Sequence, residues 1–191
     1  MAVQLRDLMD THHTPDQQDQ HGCQREHAQL NIVLTGFMAV GKTTIGRRIA
    51  RRMHRPFFDA DAEIVRRAGL SIPEIFAQYG EPRFRRLEST MCRWLAAREG
   101  SVISTGGGMI INPLNLAALT CTGLVICLNA SPEILRVRLE RNKQRPLSFD
   151  WRRLYEERRE IYAAVPYQIS TDGKSPERVA VEIIKLWQSS Q

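Results

Sequence analysis

The chain has 191 residues, 42% apolar and 25% charged, with 27 Lys+Arg against 21 Asp+Glu and a formal net charge of +6. At roughly 100–200 residues per domain this is one globular domain, and its longest clean apolar run, around 124–128, excludes a transmembrane helix, which needs roughly 20 such residues. Residues 1–10 mix Arg6, Asp7 and Asp10 with no apolar stretch after them, unlike a signal peptide, and Cys23, Cys92, Cys121 and Cys127 share no CxxC spacing, so they read as reduced thiols in a cytoplasm.

Residues 1–29 are rich in Gln, Asp and His and have no sustained hydrophobic period, the composition of a disordered tail. His12, His13, His21 and His27 are irregularly spaced and read as solvated rather than as metal ligands. The domain proper is 30–191. LNIVLT (30–35) reads as a short buried strand bounded by Gly36, and Ile45, Ile49 and Met53 form a helical i, i+4, i+8 stripe over 43–53. PFFD (56–59) predicts a second strand, followed by a helix from Asp61 that Gly69 stops. Ser71-x-x-Glu74 is a capping box that opens a further short helix. The longest helix is expected from about Arg83 to Arg98, with Phe84, Leu87, Met91 and Leu95 on its inward face. SVIST (101–105) and GLVICLN (123–129) are the third and fourth strands, and YQIST (167–171) is the last. Ser131-Pro132-Glu133 and Ser175-Pro176-Glu177 each place a Ser cap, a Pro in the first turn and an acid, so helices are expected at about 132–142 and 176–188, with another at 151–163. Five strands with continuous apolar runs alternating with helices indicate an α/β fold with a parallel sheet covered on both faces. Ligands bind such sheets beyond the carboxyl ends of the strands.

The chemistry-bearing residues stand at those ends. Gly36-Phe37-Met38-Ala39-Val40-Gly41-Lys42-Thr43 fits GxxxxGK[ST], the phosphate-binding loop. Glycines let successive N–H groups converge on phosphate oxygens at a helix N-terminus; Lys42 would reach the β- and γ-phosphates and Thr43 would offer its hydroxyl to Mg²⁺. Asp59 and Asp61 are i and i+2 in a segment read as extended, so both carboxylates would share a face beside that loop. One could hold Mg²⁺ through water while the other accepts a hydroxyl proton, a base contribution of about 10²–10⁴ in rate. Gly106-Gly107-Gly108 would let a substrate or phosphate touch bare backbone N–H groups. Arg85 and Glu88 are i, i+3 on one helix and can pair; on a surface this is worth about 0.2–0.5 kcal/mol.

The excess of positive charge is mostly arginine, 23 of the 27 cations, a preference for the planar fork that grips carboxylate and phosphate. Residues 1–30 hold two Arg and five acids, which leaves +9 on the rest. Arg136, Arg138, Arg141, Lys143 and Arg145 crowd into ten residues and suggest a lid over an anion, with a nucleic-acid contact as the other option. The absence of an interleaved aromatic set speaks against nucleic acid. For Arg158 and Arg159, among Glu156, Glu157 and Glu160, a solvated helix face is the default.

Together, GFMAVGKTTIGRRIA (36–50), FFDADAEI (57–64), SIPEIFAQYGEPRFRRLE (71–88), STGGG (104–108), RNKQRPL (141–147) and the ER of LYEERREIY (154–162) resemble, in order, the shikimate kinase family. The resemblance runs from about Asn31 to Trp187. It implies a three-layer P-loop kinase fold with a short lid at about 141–151, and transfer of the γ-phosphate of ATP to the 3-hydroxyl of shikimate in a cytoplasmic monomer. It implies an ATP site of Gly36, Ala39, Val40, Gly41, Lys42, Thr43 and Thr44. Lys42 would contact the transferring phosphate, and Thr43, helped by Asp59 through water, would bind Mg²⁺. Asp61 would hold the acceptor hydroxyls and act as base. Arg85 and Arg158 would clamp the carboxylate, and Gly107, between Gly106 and Gly108, would donate an N–H to the ring substituents. Arg145 would reach the γ-phosphate, Arg138 or Arg141 would stack on adenine, and Lys174 to Pro176 would line its other side. Ala39-Val40 stands where the family has a small residue and then Ser, and twelve steps from Pro146 to Arg158 make the lid shorter than the family's usual one. The competing readings are a kinase of the same fold acting on another polyol acid such as gluconate, and a nucleotide-binding regulator without turnover. The pair of Arg85 and Arg158 suits a carboxylate-bearing acceptor and loses its purpose with a neutral or differently charged one.

Overall fold

The structure is a computed structural model and describes residues 30–141 and 150–190. The tail at 1–29 and most of the expected lid, Lys143 and Arg145 included, lie outside the described residues. Five strands, β1 (Asn31–Thr35), β2 (Phe57–Asp59), β3 (Val102–Ser104), β4 (Gly123–Asn129) and β5 (Tyr167–Ser170), form one sheet in the order β2-β3-β1-β4-β5. Every pairing is parallel: Ile32 lies beside Val102 on one side and Leu124 on the other. All of β1 is buried, which accounts for its unbroken apolar run at the centre of the sheet.

The helices are α1 (Lys42–Met53), α2 (Ala60–Ala68), α3 (Ile72–Ala96), α4 (Pro113–Thr122), α5 (Pro132–Arg141), α6 (Trp151–Ala163) and α7 (Pro176–Ser189). The expected caps hold: Ser71 and Glu74 form a reciprocal capping box, Ser175 accepts from the Arg178 N–H, and Gly69 ends α2 in the left-handed region. Ile45 and Ile49 of α1, and Phe84, Leu87, Met91 and Leu95 of α3, are buried as their spacing predicts.

Two elements differ from expectation. The short helix after Ser71 and the long one from Arg83 run on as α3, broken only at Gly80, whose φ of 74° and ψ of 170° are non-helical; Pro82, two residues on, has no N–H to give. Helix α4 has no counterpart in the pattern of the sequence. Its Asn112-Pro113 start carries the same punctuation as the other caps, with Asn112 accepting from the Leu114 N–H, but only Asn115 and Leu119 are buried and Leu114 is 77% exposed. No apolar stripe marks it. A 3-10 turn, Met109–Ile111, joins the glycine loop to this helix.

Candidate active site

The carboxyl ends of β1, β2 and β3 open on one cleft of about 1200 Å³. At its floor the chain leaves β1 through Gly36, where φ is +126° and an added Cβ would lie 2.1 Å from the Leu128 carbonyl oxygen, so no side chain fits. The loop then curls through Ala39 (φ 62°) and Gly41 (φ 103°), which caps α1. Lys42 Nζ donates back to the carbonyls of Gly36 at 2.7 Å and Phe37 at 2.9 Å, closing the loop over itself. Ala39, Val40, Gly41, Lys42, Thr43 and Thr44 all line the cleft, whereas Gly36 lies beneath it. Successive N–H groups at the start of α1, with the helix dipole behind them, make an anion cradle.

Thr43 Oγ1 donates to Asp59 Oδ2 at 2.6 Å, and the other oxygen of Asp59 accepts from the Ala62 N–H at 3.2 Å as the N-cap of α2. The expectation that Asp59 and Asp61 share a face of an extended segment is therefore corrected. The strand ends at Asp59 because its side chain caps a helix, and Asp61 sits in the first helical turn. Both carboxylates nonetheless line the cleft.

Opposite them, Arg85 Nη1 donates to Glu88 Oε2 at 2.5 Å, and its Nε and Nη2 reach Glu81 Oε1 at 3.1 and 2.7 Å. Glu88 is only 2% exposed, so this is no surface pair and the small surface value does not apply. Burial pushes the Glu88 carboxyl up, against the pull of Arg85, and the nearby Asp61 adds to the rise. Burial works against the Arg85 guanidinium too, yet Glu88 and Glu81 hold it above its ordinary value. Glu81 escaped the sequence reading although its i, i+4 spacing to Arg85 was there to be used.

The glycine loop fits between these groups. A Cβ at Gly106 would lie 2.4 Å from Asp61 Oδ1 and 3.1 Å from Glu88 Oε1, and one at Gly108 would lie 2.1 Å from Arg85 Nη1. Gly107 and Gly108 line the cleft, while Gly106 lies behind the carboxylates. Arg158 does not belong to a solvated face: it lines the cleft and donates through Nη1 to the Gly107 carbonyl at 3.2 Å, while Arg159 pairs with Glu156 in solvent. Helix α6 thus brings Arg158 to the site.

The other end of the cleft is lined by residues of α5 and of the chain after β5. Arg138 lines the cleft and donates to the Val40 carbonyl at 3.3 Å and to Thr171 Oγ1 at 2.9 Å, tying the phosphate loop to the end of β5; Lys174 and Pro176 line the same end. Arg141 is exposed and outside the cleft, so of these two expected residues Arg138 lines it and Arg141 does not. Arg136 is neutralised by Glu140 at 2.9 Å. Ile72, Phe76, Phe84, Trp151 and Leu154 supply an apolar wall that motif reading did not identify.

A family model described as shikimate kinase matches residues 38–188. The chain belongs to the shikimate kinase family. It is 46% identical over 159 residues to a shikimate kinase of Geobacter sulfurreducens, an alignment covering 80% of this chain and 88% of the relative. Among solved structures, a shikimate kinase from Acinetobacter baumannii in complex with shikimate matches with a TM-score of 0.80 and 35% identity over 86% of this chain and 96% of that one. One from Aquifex aeolicus matches with a TM-score of 0.71 and 36% identity over 84% and 98%. A gluconokinase from Sinorhizobium meliloti shares 18% identity at a TM-score of 0.53, which shows the fold alone. The chain is thus an ATP-dependent kinase that phosphorylates a hydroxyl group of a small molecule. Among the described residues no helix is long and apolar enough to cross a membrane.

Proposed function

We propose that the chain transfers the γ-phosphate of ATP to the 3-hydroxyl of shikimate. The observation that carries this reading is the meeting, in one cleft, of a buried-acid-locked Arg85, of Arg158 and of Asp61. A planar guanidinium held on both flanks by Glu81 and Glu88 keeps its orientation, and two such forks suit a carboxylate better than a neutral polyol. The solved relative that holds shikimate supports the same acceptor.

In this reading the N–H groups from Ala39 to Thr43 and the Lys42 ammonium hold the β- and γ-phosphates in line with the acceptor. Arg85 and Arg158 fix the carboxylate end of shikimate, which turns its hydroxyls toward Asp61. Asp61 takes the proton as the oxygen attacks phosphorus, worth about 10²–10⁴ in rate. Arg138, Lys174 and Pro176 flank the base of the nucleotide, with Arg145, outside the described residues, assigned to the γ-phosphate. The donor set fits Mg²⁺: Thr43 and Asp59 present hard oxygens at 2.6 Å from each other, and no group of three or more His, Cys, Asp or Glu suited to a metal occurs among the described residues. Such a pair of protein oxygens, completed by phosphates and water, is how Mg²⁺ is usually held. When bound, it would neutralise charge on the β- and γ-phosphates.

The same reading has the enzyme working as a cytoplasmic monomer, to which the free thiols of Cys92 and Cys127 are suited. ADP release measured with shikimate, with gluconate and without acceptor tests the function. Release is expected with shikimate only; equal release in all three overturns it.

A further inference from the structure

The Gly107 carbonyl has two lone pairs, and both are used. Arg158 Nη1 donates to one, and the Tyr162 hydroxyl donates to the same oxygen. Arg158 and Tyr162 are i, i+4 on α6 and so project from one face of that helix. Tyr162 is 7% exposed and its ring meets the Phe37 ring edge-on, with centroids 6.4 Å apart, so the residue touches the phosphate loop with its ring and the glycine loop with its oxygen. It does not line the cleft.

A Cβ at Gly107 would meet nothing nearer than the Met38 nitrogen at 3.8 Å, so the space beside Gly107 is open, and its carbonyl is held by the two hydrogen bonds from α6. The peptide is trans, so whatever holds the Gly107 carbonyl also sets the direction of the Gly108 N–H. Burial pushes the Tyr162 phenol up to about 12, so it remains a donor throughout the working range.

We propose that Tyr162 is a positioning residue for the acceptor half of the cleft, acting through the Gly107 carbonyl to orient the glycine loop and Arg158. The proposal rests on the acceptor-site reading above. It assigns the hydroxyl a role separable from the packing of the ring on Phe37. Removing the hydroxyl leaves the ring in place, frees one lone pair of the carbonyl, and lets both the peptide and the guanidinium drift. The nucleotide end, held by Lys42 and Arg138, has no share in that bond.

The test is steady-state kinetics of the full chain and its Tyr162→Phe, Arg158→Ala and doubly substituted variants, with far-UV circular dichroism and Tm on each. Tyr162→Phe is expected to raise the KM for shikimate about three- to ten-fold, the range of one hydrogen bond, with KM for ATP and Tm unchanged. In the Arg158→Ala background the same substitution is expected to do less, because the two donors share one acceptor. An unchanged KM for shikimate, an equal rise in KM for ATP, a loss of fold, or fully additive effects overturn the proposal. Should the parent enzyme show no shikimate-dependent ADP release, the acceptor-site reading itself fails; a parent that turns over beside an unaffected Tyr162→Phe removes only the role of Tyr162.

Discussion

Arg85 is held at three nitrogens by two carboxylates, Glu88 at 2.5 Å and Glu81 at 3.1 and 2.7 Å, and the inner of the two acids is almost fully buried. Such a guanidinium is already oriented before any ligand arrives, so little ordering cost remains at binding. Arg85→Ala is expected to raise the KM for shikimate roughly ten-fold or more, the scale of a charge-assisted hydrogen bond, with KM for ATP unchanged. The same change strips Glu88 of its counter-ion. Its carboxyl, already pushed up by burial, then resists ionisation further, so the loss of Tm should grow as pH rises.

Gly108→Ala tests the position of that guanidinium without touching it. Gly108 has an ordinary φ of −108°, so an alanine is not strained there, but its Cβ would lie 2.1 Å from Arg85 Nη1, the movable end of a long side chain. The enzyme should fold with a lowered Tm, because Nη1 is the atom that donates to the buried Glu88, and show a raised KM for shikimate alone. Gly36→Ala, with φ of +126° and a backbone oxygen 2.1 Å from the new Cβ, is expected to lose the fold instead.

Asp61→Asn keeps the size of the side chain and removes its basicity. Turnover is expected to fall by about 10²–10⁴, while nucleotide binding, followed by titration calorimetry, stays at the parent level. Turnover at the parent rate would remove Asp61 from the role of base.

On the same helix as Asp61 but outside the cleft lining, Glu63 pairs with Arg66 at 2.5 Å and Arg67 at 2.9 Å. The hydrogen bond from Arg66 above all, with Arg67 adding to it, lowers the Glu63 carboxyl from 4.5 to about 2. A depressed carboxylate stabilises the folded state above its unfolded value and loses that contribution as pH falls through the folded one. The Tm difference between the parent and Glu63→Gln should therefore be largest above pH 4.5 and close as pH falls toward about 2.

The strands and most helices were legible because burial on both faces writes apolar runs, and because Ser71, Ser175 and Gly69 punctuate helix ends by local hydrogen bonding. Helix α4 was not, since it buries only two positions and leaves no stripe to read. The phosphate loop was legible because backbone convergence requires glycine at fixed spacing. The joint exposure of Asp59 and Asp61 to the cleft was foreseen for the wrong reason: local spacing could not show that Asp59 would spend one oxygen capping α2. The contacts of Arg158, a residue reached only through the family resemblance, and of Tyr162 were hidden for a different cause. Their partner is Gly107, some fifty residues away, and only the packing of α6 beside the glycine loop brings them to it. Arg85 was legible as a pair with Glu88, but the burial that gives the pair its weight comes from the tertiary fold.

The central claim is that Arg85 and Arg158 make the acceptor's carboxylate the handle by which the substrate is aligned with Asp61. The most direct measurement is kcat/KM for shikimate against that for its methyl ester, in the parent and in Arg85→Ala. The account predicts that the parent favours shikimate by roughly ten-fold or more, the scale of a charge-assisted hydrogen bond, and that Arg85→Ala erases most of that preference. Equal kcat/KM for acid and ester in the parent would contradict it.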